Sequence, residues 1–115
     1  MARVSNSDAR YMVERREKFK TNNQTMFGEW SSSAGLDGGR SYRYAVFSYG
    51  YHFPMYVYDE QAGVWIGNKD KYSRTTTTHQ NKARPNAQID QWYDTHTCKL
   101  IYHNGLATIV ANRME

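Results

Sequence analysis

Aromatic and β-branched residues are concentrated between residues 42 and 66, in short runs separated by polar or glycine-containing breaks. The first run covers residues 42–49 and ends at Gly50. These residue types favour a β-strand. Both alternating faces of the run are partly apolar, so the pattern does not select the face that points inward.

Two further runs follow at the spacing of an antiparallel hairpin. Pro54 lacks a backbone N–H and therefore fits the start of a strand over residues 55–58. The polar residues 59–63 end in glycine, as a turn would, and residues 64–66 return as a third strand. We therefore expect three antiparallel strands in the middle of the chain.

The first forty residues have a different composition, rich in serine, asparagine, glycine and charge. Ser7 or Asp8 could cap a helix that runs to about Lys20, although its apolar stripe is thin and would need a packing partner. Residues 31–40 have the serine and glycine content of a flexible linker. This part of the chain is therefore predicted to be a helical arm.

The residues after the third strand fit a mixture of helix and strand. Residues 73–84 fit a short helix that ends before Pro85, or an edge strand, because consecutive threonines are poor helix formers. Residues 87–93 place their apolar side chains on one helical face, whereas residues 97–103 fit either helix or strand. Gly105 predicts a break before a final helical stripe.

Together these patterns predict an α+β fold, with a small three-stranded antiparallel sheet packed by two or three short helices and an N-terminal helical arm. The arm is residues 1–40, made of the helix and the flexible serine and glycine segment, and residues 41–115 form a single α+β domain. We expect the arm to be mobile and able to exchange onto a second copy of the chain, which would form a homo-oligomer.

Size and charge narrow the classes of function. The chain has 115 residues, a formal net charge of +4 and a pI near 9.2. A chain of this size buries one small core, which excludes an enzyme with separate substrate and cofactor domains. No apolar run is long enough to cross a membrane, and the first residues lack the apolar stretch of a signal peptide. The single cysteine, Cys98, can form no internal disulfide, so we expect a reducing cytosol.

A pattern of aromatic, turn and basic residues runs from Tyr49 to Pro85. It reads Tyr49-Gly50-Tyr51-His52-Phe53-Pro54-Met55-Tyr56-Val57-Tyr58-Asp59, then Trp65, Asn68-Lys69-Asp70-Lys71-Tyr72-Ser73-Arg74-Thr75-Thr76, His79-Gln80 and Ala83-Arg84-Pro85. In this pattern the chain resembles small proteins of unknown function encoded by tailed bacteriophages. The resemblance implies a phage-encoded protein that works in the host cytoplasm, and it brings no catalytic signature with it.

Basic residues and hydroxyls are concentrated between Lys69 and Arg84, where five cations accompany a single carboxylate, Asp70. Positive charges displace the counterions of phosphates, and hydroxyl and amide groups bond phosphate oxygens. The pattern predicts a nucleic-acid contact, and a solvated polar connection is the alternative. The predicted contact residues are Lys69, Lys71, Tyr72, Arg74, Thr75, Thr76, His79, Lys82 and Arg84.

Tyrosines are interleaved with these charges, and four of them are predicted to form an exposed interface. They are Tyr49, Tyr51, Tyr56 and Tyr58. Aromatic rings stack on unpaired bases, and tyrosine is equally favoured as an anchor in protein interfaces. The sequence leaves open which of the two partners the rings would meet.

Residues that could carry catalysis or bind metal are scattered along the chain. The four histidines lack the spacing of a zinc site. Cys98, close to Leu100 and Ile101, reads as a small buried apolar residue. The glycines within residues 35–39 lack the preceding strand and following Lys-Ser/Thr of a phosphate-binding loop. We therefore predict no catalytic residues, no metal and no cofactor.

These features favour a non-catalytic binding protein that contacts nucleic acid through a basic, tyrosine-rich surface. An inhibitor or modulator that binds a host or defence protein is the alternative, and a structural or virion accessory subunit is a third. The predicted partners are nucleic acid or a host protein, and no membrane.

Overall fold

The computed structural model describes residues 2–34, 39–70 and 74–113, and a single mixed sheet runs through these ranges. Its seven strands lie side by side in chain order. They are β1 (Ala2–Val4), β2 (Phe19–Thr21), β3 (Met26–Ala34), β4 (Arg40–Ser48), β5 (Pro54–Asp59), β6 (Val64–Asn68) and β7 (Ile89–Tyr93). The outermost pairs, β1 with β2 and β6 with β7, are parallel, and the pairs between them are antiparallel.

Helices cover both faces of the sheet. Within the described ranges they are α1 (Ala9–Glu14), which a short 3₁₀ turn precedes, α2 (Arg74–Ala83), α3 (Thr95–Asn104) and α4 (Leu106–Arg113). The crossovers of the two parallel pairs contain α1 and α2, which pack on the same face, whereas α3 and α4 pack on the other. A parallel pair requires such a crossover, because a tight turn reverses the chain direction.

The central strand β4 is buried on both faces. Tyr44 and Val46 pack in the layer of α1 and α2, while Ala45 and Phe47 pack in the layer of α3 and α4. This arrangement explains why neither face of the strand reads as polar in the sequence. The predicted strands are present as β4, β5 and β6, but the predicted small three-stranded sheet is wrong, because β4 needs helices on both sides and further strands at both edges.

The predicted N-terminal helical arm is also wrong. Helix α1 ends at Glu14, and the chain then enters β2 and β3. Residues Ser31–Ala34, which the serine content assigns to a linker, extend β3 and pair with residues 40–43 of β4. Backbone hydrogen bonds to β4 hold these residues in a strand, although their serine content favours a loop. Of the remaining linker residues, 35–38 lie outside the described residues, and Arg40 already belongs to β4.

In the C-terminal half, the helical alternative for residues 73–84 agrees with α2, and α3 and α4 flank the predicted break at Gly105, whose φ is +93°. The predicted helix over residues 87–93 is wrong, because Ile89–Tyr93 form β7 instead. These residues pair with β6 at the edge of the sheet. The spacing of their apolar side chains gives no sign of this pairing. No helix in the described ranges combines the length and the apolar character that crossing a bilayer demands.

Candidate nucleic-acid interface

The residues of the predicted basic stretch are spread along α2. Lys69 is exposed just after β6, whereas Lys82 and Arg84 are exposed at the opposite end of the helix. A helix of ten residues is about 15 Å long, so these cations do not share one small patch. Lys71 and Tyr72 lie outside the described residues. For Arg74, Thr75 and Thr76 the structure describes only a helical backbone.

His79, predicted as a contact residue, is turned into the core from the middle of α2. Its Nδ1 lies 2.8 Å from Oγ of Ser48, and its ring lies beside that of Tyr49. Burial lowers the pKa of His79, and the charge of Lys82 lowers it further. A neutral buried imidazole offers no charge to a phosphate, so the nucleic-acid contact predicted for His79 is not supported by its position.

The four predicted interface tyrosines fall into two groups. Tyr49 and Tyr51 are 54% and 58% exposed in the connection between β4 and β5. Tyr56 is buried at 2% exposure and donates its hydroxyl hydrogen to the Gln80 carbonyl, which excludes it from a surface. Tyr58 is half-buried, with the Arg16 guanidinium 4.5 Å from its ring centre.

A group of adjoining open depressions, which we together call the basic groove, lies on the face of the molecule that carries α1 and α2. It consists of three adjoining open depressions of about 330, 450 and 410 Å³. The first and second share Arg10, and the second and third share Ala87 and Gln88. The cations that line it are Arg10, Arg16, Lys82 and Arg84.

The position of Arg10 depends on the contact between α1 and α2. Its Nη2 donates a 2.7 Å hydrogen bond to the carbonyl of Asn81, in the last turn of α2. Carbonyls at a helix C-terminus carry partial negative charge and attract a cation. The backbone N–H of Asn86 donates to Oε1 of Glu14 at 3.1 Å and holds the segment after α2 against α1.

Arg84 lines the central part of the basic groove and packs on the ring of Trp92. The guanidinium carbon of Arg84 lies 5.4 Å from the Trp92 ring centre, within cation–π range. The indole, 40% exposed, rests on Gly67 of the neighbouring strand. A Cβ at position 67 would lie 2.5 Å from the indole, so glycine is required for the ring to lie flat against the sheet.

Arg16 occupies a backbone position that favours glycine. It follows α1 with a φ of +51°, and the pair of hydrogen bonds Arg16 N–H to Val13 carbonyl and Glu17 N–H to Met12 carbonyl forms a Schellman motif. A left-handed conformation costs a residue with a side chain about 1 kcal/mol relative to glycine. An arginine occupies this position, and its guanidinium lies over the Tyr58 ring in the basic groove.

Carboxylates of the protein itself occupy the N-termini of α3 and α4, so these helix ends do not offer a site to an external anion. Asp70 accepts hydrogen bonds from the Thr95 N–H and hydroxyl, and Asp94 accepts from Thr97 N–H. Asp59 accepts from Leu106 N–H at 2.7 Å. In the basic groove the described lining residues include one carboxylate, that of Asp90 at one end. Against this one carboxylate stand four lining cations, so the described lining of the basic groove is net positive.

The described residues contain no group of three or more His, Cys, Asp or Glu side chains close enough to hold a metal ion. Cys98 is buried in the layer of α3, and burial raises the pKa of its thiol to about 12, with a further contribution from Asp94. A thiol with such a pKa carries no nucleophilic thiolate at neutral pH.

Sequence reasoning misses Arg10 and Arg16 of the basic groove, and also Trp92, on which Arg84 packs. Arg10 and Arg16 lie far from the Lys69–Arg84 stretch in sequence, and the packing of α2 on α1 brings them close to Lys82 and Arg84. Trp92 follows Arg84 closely in the chain and reaches it through the turn from α2 into β7. Trp92 in particular is assigned to a helix face by its spacing, whereas its place on an edge strand exposes it.

Comparisons with protein-family models, with curated proteins and with solved structures give no match to this chain. The resemblance to phage-encoded proteins therefore stays a prediction.

Proposed function

We propose that this protein is a non-catalytic nucleic-acid-binding protein and that the basic groove is its binding site. The observation that carries the proposal is the convergence of Arg10, Arg16, Lys82 and Arg84, from two segments distant in the chain, on adjoining depressions of one surface. Cations gathered in this way gain affinity for a polyphosphate by releasing its condensed counterions.

The shape of the groove is the second support. Its depressions are open to solvent and share lining residues with their neighbours, which suits a polymer that contacts all of them better than a small molecule that must be enclosed. Basic grooves that follow a nucleic-acid backbone work in this way. As part of this proposal, the protein is phage-encoded and acts in the host cytoplasm, as the sequence resemblance implies.

The proposal is tested by fluorescence anisotropy with labelled oligonucleotides across a range of salt concentrations. Log affinity should fall linearly with log salt, and Lys82→Ala with Arg84→Ala should make the slope shallower by about 0.7 for each single-strand phosphate that the variant no longer neutralises. Lys18→Ala with Lys69→Ala is the matched control, because both side chains are exposed and neither lines the basic groove. No binding at 50 mM salt, or equal losses in both double variants, would overturn the proposal.

A protein partner is the second candidate, and the connection between β4 and β5 favours it. Tyr49 and Tyr51 are both exposed there, and Tyr49 has a φ of +63°, a strained value for an aromatic residue. Strain held at an exposed aromatic tip is found at binding surfaces. A partner whose binding survives nuclease and is lost in Tyr49→Ser with Tyr51→Ser, but not in Lys82→Ala with Arg84→Ala, would favour this function.

A further inference from the structure

Two of the basic groove's arginines present flat guanidinium groups on aromatic rings. Arg84 lies 5.4 Å from the centre of the Trp92 ring, and Arg16 lies 4.5 Å from that of Tyr58. The two pairs belong to adjoining depressions, one lined by Arg84 and the other by Arg16 and Tyr58, with Ala87 and Gln88 common to both. The groove therefore combines charge with planar surfaces at two separate points.

The rings beneath these guanidinium groups are held by the aromatic layer of the sheet. Tyr58 packs on Trp65 with ring centres 5.3 Å apart, and Trp65 packs edge-on against Tyr44 at 6.3 Å. Trp92 lies edge-on to the buried Tyr56, also at 6.3 Å. Rings supported in this way lose little conformational freedom when something stacks above them.

We infer that the ligand of the basic groove is a single-stranded nucleic acid, with unpaired bases stacking at the two arginine–aromatic pairs while Arg10 and Lys82 contact phosphates. This inference rests on the proposed function. Unpaired bases stack on aromatic rings and on guanidinium planes, whereas the bases of a duplex are stacked on one another and present only their edges in the grooves.

The placement of the cations supports the same conclusion. They come from α1, the residue pair after it, the end of α2 and the segment that leads into β7, and they line depressions between these elements, whereas a helix that enters a major groove presents its contacts along one face of a single helix. The side chains of Asn86 and Gln88, both exposed in the central depression, offer amide donors and acceptors within reach of base edges.

The experiment compares a labelled 15-nucleotide deoxythymidine strand with the same strand annealed to its complement, by anisotropy at 50 mM salt. We expect the single strand to bind at least ten-fold more tightly and to quench tryptophan fluorescence. Trp92→Leu should weaken single-strand binding by about 5- to 150-fold, the range for loss of one stacked base, and should remove most of the quenching. Tyr42→Leu, at an exposed ring outside the groove, should change neither.

A charge-preserving variant separates stacking from electrostatics and does not depend on the folding of Trp92→Leu. Arg84→Lys keeps the positive charge and removes the plane, so it should weaken single-strand binding while leaving the salt slope unchanged. Unchanged single-strand affinity in Arg84→Lys would overturn the inference. Equal or tighter duplex binding that still depends on Lys82 and Arg84 would overturn it and leave the proposed function standing, whereas absence of binding to either probe would overturn both.

Discussion

Arg43 of β4 and Asp59 of β5 are paired across the two strands, and their side chains bond the helix ends that meet between α3 and α4. The Arg43 guanidinium donates to the carbonyls of Tyr102 and His103 at 3.0 and 2.6 Å, at the end of α3. The Asp59 carboxylate accepts from Leu106 N–H at the start of α4. The cationic Arg43 therefore contacts the partially negative C-terminus of α3, and the anionic Asp59 contacts the partially positive N-terminus of α4.

Both side chains are buried, so the loss of either charge should be costly. Arg43→Met leaves three backbone carbonyls without their donor and the Asp59 carboxylate without its compensating charge, and should lower the free energy of unfolding by about 3–5 kcal/mol. Urea unfolding measures this change. Arg40→Met, at an exposed site on the same strand, should shift the free energy of unfolding by less than about 0.5 kcal/mol. A similar loss of stability in both variants would contradict the stabilising role of the buried Arg43 side chain.

Protonation of His79 should destabilise the fold at mildly acidic pH. Burial lowers the pKa of His79 in the folded protein, whereas in the unfolded chain it lies near 6.5. The unfolded chain therefore takes up the proton first, and stability present above about pH 6.5 is lost as the pH falls toward the folded pKa. Urea midpoints between pH 7.5 and 5 should show this decline.

The matched variants are His79→Asn and His103→Asn. His79→Asn keeps a polar group near Ser48 Oγ and should flatten the decline between pH 6.5 and 5. His103 is exposed, so the same substitution there should leave the decline in place. A steep decline that persists in His79→Asn would assign the pH dependence to other groups.

Two substitutions of Arg16 should differ in their effect on the free energy of unfolding and agree in their effect on single-strand affinity. Arg16→Gly relieves the left-handed backbone but loses the stack on Tyr58, so unfolding free energy should stay equal or rise by up to about 1 kcal/mol. Arg16→Ala loses the stack and keeps the strain, and should be about 1 kcal/mol less stable than Arg16→Gly. Both variants should bind the single strand more weakly than the unaltered chain, and a weakened Arg16→Ala beside an unaffected Arg16→Gly would contradict a role of the guanidinium.

The contact between Gly67 and Trp92 can be tested by a double-mutant cycle. Gly67→Ala places a methyl group where the indole lies, so the ring must move, at a cost of about 1–3 kcal/mol. In a Trp92→Ala background the same substitution should cost much less, because nothing then opposes the methyl group. Thermal unfolding of the four proteins measures the coupling, and strictly additive effects would refute the contact.

Much of the local structure is encoded in short segments of the chain. The strands β4 to β6 and the break at Gly105 follow from residue type, turn chemistry and spacing, whereas the sequence leaves residues 73–84 open between the helix α2 and an edge strand. The sequence predicts only part of the candidate site, because Lys82 and Arg84 lie within the predicted basic stretch, whereas Arg10 and Arg16 come from a segment distant in the chain. Trp92 is near Arg84 in the chain, but its spacing predicts a helix in place of the strand β7.

By itself, the sequence determined a basic, aromatic-rich chain with a central antiparallel meander and several short helices. The tertiary structure alone decided that the serine-rich segment of β3 and the residues Ile89–Tyr93 become strands, that His79 and Tyr56 turn inward, and that distant cations share one groove. The physical reason is that the hydrogen bonds of a strand and the burial of both faces of β4 depend on partners far along the chain, which local propensity cannot specify.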